Sequence, residues 1–231
     1  METLEAGMDR VLVFDLDGTL VDSVPDLMAA LNRLMAARGL ARFDAAAVTA
    51  MVGDGAAALV ARGFAARGAA ADAAALANFL ADYGANAAVA TRPYPGVAET
   101  LAALREAGWG MAVCTNKPAA PARDLLAALG LAEFFTAVGG GDSFAVRKPD
   151  PGHVLAVLAA AGGDAGRAVM VGDHHNDVAA ARGAGIGCIF AGWGYGAPAM
   201  AAQATAVARH VSEVPAIAGR LLADRSPGRT R

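Results

Sequence analysis

The stretch Val11-Leu12-Val13-Phe14-Asp15-Leu16-Asp17-Gly18-Thr19-Leu20-Val21-Asp22-Ser23 decides how the chain folds. Its first four residues are apolar without alternation, as in a parallel strand covered by helices on both faces. The run then stops at two aspartates and a glycine. Side chains two apart in an extended segment point the same way. Asp15 and Asp17 would therefore share one side at the carboxyl end of a strand, where open α/β sheets gather their ligands. Gly18 lets the backbone turn closely around an anion and offer amide donors. One carboxylate of such a pair can attack while its neighbour moves protons. Asp and Gly also favour ordinary turns, so from these residues alone a capped turn is an equal reading.

Similar apolar runs recur at Met111–Cys114, Ala168–Val171 and Ile186–Phe190, with weaker ones at Phe134–Val138 and Val207–Val211. Between them the spacing predicts helices over Val97–Ala107, Ala119–Leu129, Pro151–Ala161 and Asn176–Ala184. Gly108, Gly130 and Gly162 supply helix stops. Alternating strand and helix predicts a doubly wound α/β fold with a mainly parallel sheet. One segment breaks the alternation. From Asp22 to Arg92 the chain reads as alanine-rich helices with no strand-like run. Ser23 or Asp22 can cap a first helix and Asp44 a second. Gly53-Asp54-Gly55 separates a third, and a fourth starts near Asp72. Arg92-Pro93-Tyr94-Pro95-Gly96 reads as a return hinge. The expected organisation is an α/β core of about 1–21 and 93–231 with a small helical domain inserted at about 22–92.

Composition narrows the function classes. The chain has 231 residues, 56% of them hydrophobic, and a net charge of −3. That balance argues against a nucleic-acid surface. The basic residues cluster only at the tail, Arg225–Arg231, which reads as a frayed end. No apolar run reaches the length of a membrane-spanning helix. Met1–Arg10 lacks the basic and apolar regions of a secretory signal. Cys114 and Cys188 sit in apolar runs without metal-ligand spacing and read as reduced thiols of a cytoplasmic protein. The sequence leaves monomer and homodimer both open.

Asp15-Leu-Asp-Gly-Thr-Leu-Val-Asp22 resembles the first signature of the haloacid dehalogenase superfamily almost letter for letter. Three later segments resemble its other signatures, in order: Cys114-Thr-Asn-Lys117, Arg147-Lys-Pro-Asp-Pro151 and Val171-Gly-Asp-His-His-Asn-Asp177. Each has an ordinary reading alone. Thr115 could end a strand, Lys148 could be a loop lysine, and Asp173 and Asp177 could acidify a helix N-terminus. Those readings predict no shared order.

The resemblance implies an Mg²⁺-dependent phosphatase acting on a small phosphate ester through an aspartyl-phosphate. Asp15 would be the nucleophile and Asp17 the proton donor and acceptor. Mg²⁺ would bind Asp15, the main-chain carbonyl of Asp17, and Asp173. Thr115, Lys148 and the backbone near Gly18, Thr19 and Asn116 would hold the phosphoryl group. Asp177 would orient Lys148 or a metal-bound water. The helical insert would be a cap. Its Met51-Val-Gly-Asp-Gly-Ala-Ala-Ala-Leu-Val60 segment, and Trp193-Gly-Tyr-Gly196, resemble phosphoglycolate phosphatases. Gly53 and Gly55 could then approach substrate, and Arg62 or Arg67 meet its carboxylate. A sugar-phosphate phosphatase, a sugar phosphomutase and a non-catalytic phosphate-binding module are the alternatives. His174 and His175 depart from the pattern and read as a polar loop, with a transition-metal site as the second reading. Trp193 and Tyr195 read as packing for a glycine-rich loop at the rim.

Overall fold

A computed structural model describes residues 10–225 of the chain. The N-terminal segment through residue 9 and the basic tail from residue 226 lie outside it. The first strand, β1 (Val11–Phe14), is completely buried. Leu12 and Phe14 face one apolar cluster, and Val11 and Val13 face another. That division explains the unbroken apolar run, because both faces of the strand are covered. Each of these side chains contributes about 1.5–3 kcal/mol through burial. A charge at Val13 would be unpaired inside the core.

Two very short strands follow, β2 (Val21–Asp22) and β3 (Arg92–Pro93), paired antiparallel. They close the neck between core and insert, and no strand was expected there. Two residues on each side are too few to carry a period. The remaining strands are β4 (Gly110–Cys114), β5 (Ala137–Gly139), β6 (Ala168–Gly172), β7 (Gly187–Ala191) and β8 (Ala206–Ala208). Together with β1 they form a six-stranded sheet in the order β5-β4-β1-β6-β7-β8, and every neighbouring pair is parallel. β1 is thus central, with β4 and β6 beside it.

Two weak strand expectations shift. Ala132–Phe134 is a 3-10 turn, and pairing starts only at Ala137, because Phe134 and Phe135 pack against the core instead. Likewise Val211 opens a 3-10 turn and is buried in the same cluster.

The insert holds α1 (Val24–Ala36), α2 (Ala45–Thr49), α3 (Ala56–Ala65) and α4 (Ala75–Asn86). These four helices bury a cluster of their own, including Leu27, Leu31, Phe64 and Phe79. Asp44 caps α2 by accepting from Ala47 N at 2.8 Å. Ser23 precedes α1, but its hydroxyl makes no cap bond and is buried without a partner. Asp22 Oδ1 receives Val24 N at 3.3 Å instead. The fourth helix starts at Ala75, later than expected, with Asp72 accepting from Ala74 N at 2.9 Å just ahead of it.

In the core, α5 (Val97–Glu106), α6 (Ala119–Ala128) and an unanticipated α9 (Val214–Arg225) cover one sheet face. α7 (Pro151–Ala160) and α8 (His175–Gly183) cover the other. Gly108, Gly130 and Gly162, the expected helix stops, have φ of +77°, +70° and +68°. Among the described residues no helix is long and apolar enough to cross a membrane.

Candidate active site

The carboxyl ends of β1, β4 and β6 lie side by side, and the polar signature residues follow directly from them. Asp15 leaves β1 with its amide bonded to Val171 O at 2.8 Å. Thr115 leaves β4, its amide bonded to Gly139 O at 2.9 Å. Asp173 follows β6 and precedes α8. Lys148 comes from the loop between β5 and α7, and its ammonium lies 2.8 Å from Asp15 Oδ1 and 2.6 Å from Asp177 Oδ1. Asp15, Thr115, Lys148, Asp173 and Asp177 are all buried.

Asp15, Asp173 and Asp177 offer carboxylate oxygens that all lie within 4.8 Å of one another. One ammonium, Lys148, stands among these three acids. Burial pushes the Asp15 carboxyl up to about 6, with Lys148 opposing and Asp177 adding to the rise. Burial, then Asp15 and Asp177, pushes Asp173 up to about 8. A buried group of acids with so little compensation suits a hard divalent cation. Their oxygens are partly committed. Asp177 accepts from Lys148 and, through Oδ2, from His174 N at 3.0 Å, closing a capping box on α8. Asp173 accepts from Thr19 Oγ1 at 2.9 Å, Tyr195 N at 2.8 Å and Gly196 N at 3.2 Å.

Asp17 meets a cation absent from the expected set. Lys117 Nζ lies 2.9 and 3.0 Å from the two Asp17 oxygens and donates to Tyr83 Oη at 2.8 Å. Tyr83 is on α4, so this contact spans core and insert. Burial opposes charge on Lys117, but Asp17 and Tyr83 more than restore it, leaving the pKa above the ordinary lysine value. Burial raises the Tyr83 pKa. Asp15, Asp17, Thr115, Asn116, Gly53 and Gly55 all line one cavity of about 50 Å³, walled on the helical side by Leu27, Phe79 and Tyr83.

The insert docks on the core through Gly53-Asp54-Gly55. Asn116 Nδ2 donates to Gly53 O at 3.1 Å and to Lys148 O at 3.0 Å. Asn176 Nδ2 donates to Asp54 Oδ1 at 2.6 Å. Gly53 has φ +125°, and a Cβ there would sit 2.6 Å from His174 Nε2; one on Gly55 would sit 2.9 Å from Asn116 O. These glycines therefore serve close approach of the two helical and α/β layers as well as lining the cavity. Asp54, His174 and His175 have ligand-type atoms within 4.8 Å of one another. However, the Asp54 carboxylate already carries Asn176 and an ion pair with Arg62. The His174 ring is a packing surface for the turn.

Some expected residues lie elsewhere. Gly18 N donates to Val21 O at 2.9 Å and Thr19 N to Leu16 O at 3.3 Å, while the Thr19 hydroxyl holds Asp173. Arg62 is exposed, bound to Asp54 and to Met51 O. Arg67 lies over the Phe43 ring at 3.6 Å. Trp193 Nε1 donates to Thr19 O at 2.9 Å, and the Tyr195 hydroxyl lies 2.8 Å from Asp22 Oδ1. The glycine-rich loop thus braces the first signature. Lys117 and Tyr83 were not anticipated. Lys117 closes the Thr-Asn-Lys segment, and that position was the one local signal for it, but nothing local marks Tyr83.

The profile of the haloacid dehalogenase-like hydrolases matches residues 10–185. A phosphoglycolate phosphatase of Rhodospirillum rubrum is 47% identical over 196 residues, covering 81% of each chain. One from Cereibacter sphaeroides is 41% identical over 217 residues, covering 92% of this chain and 99% of that one. A crystal structure of a predicted phosphoglycolate phosphatase from Haemophilus somnus superposes with a TM-score of 0.83 at 28% identity, over 92% of this chain and 99% of the other.

Proposed function

The chain belongs to the haloacid dehalogenase-like hydrolases, and we propose that it hydrolyses 2-phosphoglycolate, with Asp15 as nucleophile and α1–α4 as a cap over the site. The observation that carries the reaction is the buried Asp15 carboxylate, 2.8 Å from Lys148 and grouped with Asp173 and Asp177. The names of the relatives above support the substrate.

An Asp15 oxygen forms a bond to phosphorus as the bond to the glycolate oxygen breaks, and Asp17 gives its proton to that leaving oxygen. Water then attacks the aspartyl-phosphate, Asp17 takes back a proton, and phosphate leaves with Asp15 restored. Lys148 and the Thr115 hydroxyl meet charge on the phosphoryl oxygens. Asp177 holds Lys148, and Thr19 holds Asp173. The acid cluster fits Mg²⁺, which Asp15, Asp173 and the Asp17 carbonyl would hold and which would supply positive charge to the phosphoryl group. The cap walls keep bulk water out while the phosphoryl group moves from the ester to Asp15. The two cysteines are buried and unpaired, in keeping with a cytoplasmic setting.

The test is phosphate release from a panel of phosphate esters, with Mg²⁺ and with EDTA, beside Asp15→Asn. The reading expects metal-dependent turnover highest on 2-phosphoglycolate and abolished in the variant. A maximum on a sugar phosphate would discard the substrate and keep the chemistry. Full activity in Asp15→Asn would discard the nucleophile.

A further inference from the structure

We propose that the Lys117 ammonium and the Tyr83 hydroxyl read the carboxylate of the substrate, so that esters bearing a carboxylate beside the ester carbon are selected by this pair. The inference deepens the reading above and rests on it. Among the residues lining the cavity, Lys117 is the one with a cationic side chain, and the two with carboxylates are Asp15 and Asp17. A substrate carboxylate entering there meets like charge unless an ammonium receives it. Arg62, the alternative cation on the cap, is held by Asp54 and Met51 O and does not line the cavity.

Position matters as much as charge. In 2-phosphoglycolate a single carbon separates the ester oxygen from the carboxylate. The group that reads the carboxylate must therefore neighbour the group that protonates the leaving oxygen. Lys117 Nζ is 2.9 Å from Asp17 Oδ1. Tyr83 Oη accepts from the same ammonium at 2.8 Å, which leaves its own proton to donate. The apolar walls, Leu27 and Phe79, strengthen such bonds by excluding water.

The pairing also gives Asp17 two settings. Without substrate, Lys117 holds it. When the carboxylate arrives it takes the place of Asp17 on the ammonium, and the displaced Asp17 takes up from solvent the proton that it later gives to the ester oxygen, so neither carboxylate is left as an uncompensated buried charge. Asp17 is then released toward the ester oxygen. Because Tyr83 belongs to α4, the reader is complete only with the cap in place.

The experiment compares kcat/KM for 2-phosphoglycolate and for ethyl phosphate, which keeps the two-carbon ester and lacks the carboxylate, in the wild type, Lys117→Gln and Tyr83→Phe. We expect Lys117→Gln to cut the ratio of the two values by about 10- to 100-fold, the worth of a charge-assisted hydrogen bond, and Tyr83→Phe to cut it by about 3- to 10-fold. If both variants slow the two esters by the same factor, Lys117 acts only through Asp17 and the inference is overturned while the phosphatase reading stands. A wild type without preference for 2-phosphoglycolate overturns the substrate reading and this inference together. Melting curves accompany each variant. Should Lys117→Gln fail to fold, Tyr83→Phe decides by the same ratio, since it removes a single oxygen from a ring stacked on Phe79.

Discussion

The Lys148 ammonium lies 2.8 Å from Asp15 Oδ1, and it also bonds Asp177, so one cation is shared by the proposed nucleophile and a fixed acid. Burial disfavours that charge, and Asp15 and Asp177 hold it well above the ordinary lysine pKa. Lys148→Met keeps the length and removes the charge. We expect activity to fall by about 100- to 1,000-fold, as when a preorganised charge is taken from a phosphoryl-transfer site. The metal-free protein should lose about 3 kcal/mol at pH 8, because the remaining acids are buried unpaired. Equal melting temperatures for variant and wild type in EDTA would refute the second expectation.

Proton uptake by the acid cluster should govern metal binding. Asp15 and Asp173 are raised to about 6 and about 8, with burial the largest cause in each. A raised folded-state pKa means that the native protein keeps protons which the unfolded chain has released. Metal-free stability is therefore full below about pH 4 and is lost as pH rises to about 8, by at most about 1.4 kcal/mol per pH unit and group. Mg²⁺ must displace those protons, so its affinity should rise across the same window. Thermal melts with and without Mg²⁺ at pH 5.5, 7 and 8.5 should show a metal-induced shift that widens with pH. A shift of constant size would contradict the linkage.

Much of this architecture was legible because it is written locally. The unbroken apolar run at Val11–Phe14 marked a doubly covered strand, and strand-end positions of Asp15, Thr115 and Asp173 followed from that pattern. The helices between Asp22 and Arg92 were likewise readable from spacing and caps such as Asp44. What escaped was non-local. The partner of Asp17 lies 100 positions away at Lys117, and that lysine meets Tyr83 from another helix 34 positions before it. No period or spacing encodes such contacts. The neck strands β2 and β3 were too short to show alternation. Ser23 had the right chemistry for a cap, yet the Tyr195 hydroxyl, 2.7 Å from Ser23 N and 3.1 Å from Val24 N, serves the start of α1 instead.

Gly53 should be intolerant of any side chain. At φ +125°, alanine is strained by about 1–3 kcal/mol, and its Cβ would meet the His174 ring. Gly53 O also receives Asn116 and Asn176, so displacing the turn loosens the insert from the core. Gly53→Ala should lower kcat/KM about tenfold or more through misplacement of the cavity wall. Adding His174→Ala removes the clash but not the backbone strain, so the double variant should regain part of the loss. A double variant slower than the product of the two single effects would show that the ring is not the obstacle.

Asp26 ties the two ends of the helical insert together. Buried on α1, it accepts from Ala90 N at 3.0 and 2.9 Å, Thr91 N at 2.8 Å and Thr91 Oγ1 at 2.8 Å. These donors sit just before β3, where the chain returns to the core. Asp26→Ala strands three donors at once, which should cost about 3 kcal/mol in stability and about 6–12 °C in melting temperature for a chain of this size. Asp26→Asn keeps one acceptor oxygen and should cost less than the alanine. None of these atoms lines the cavity, so activity at 25 °C should change little while the amides of Ala90 and Thr91 lose protection from hydrogen exchange. If activity fell before stability did, the return segment would be setting the cap's position over the site as well as its cohesion.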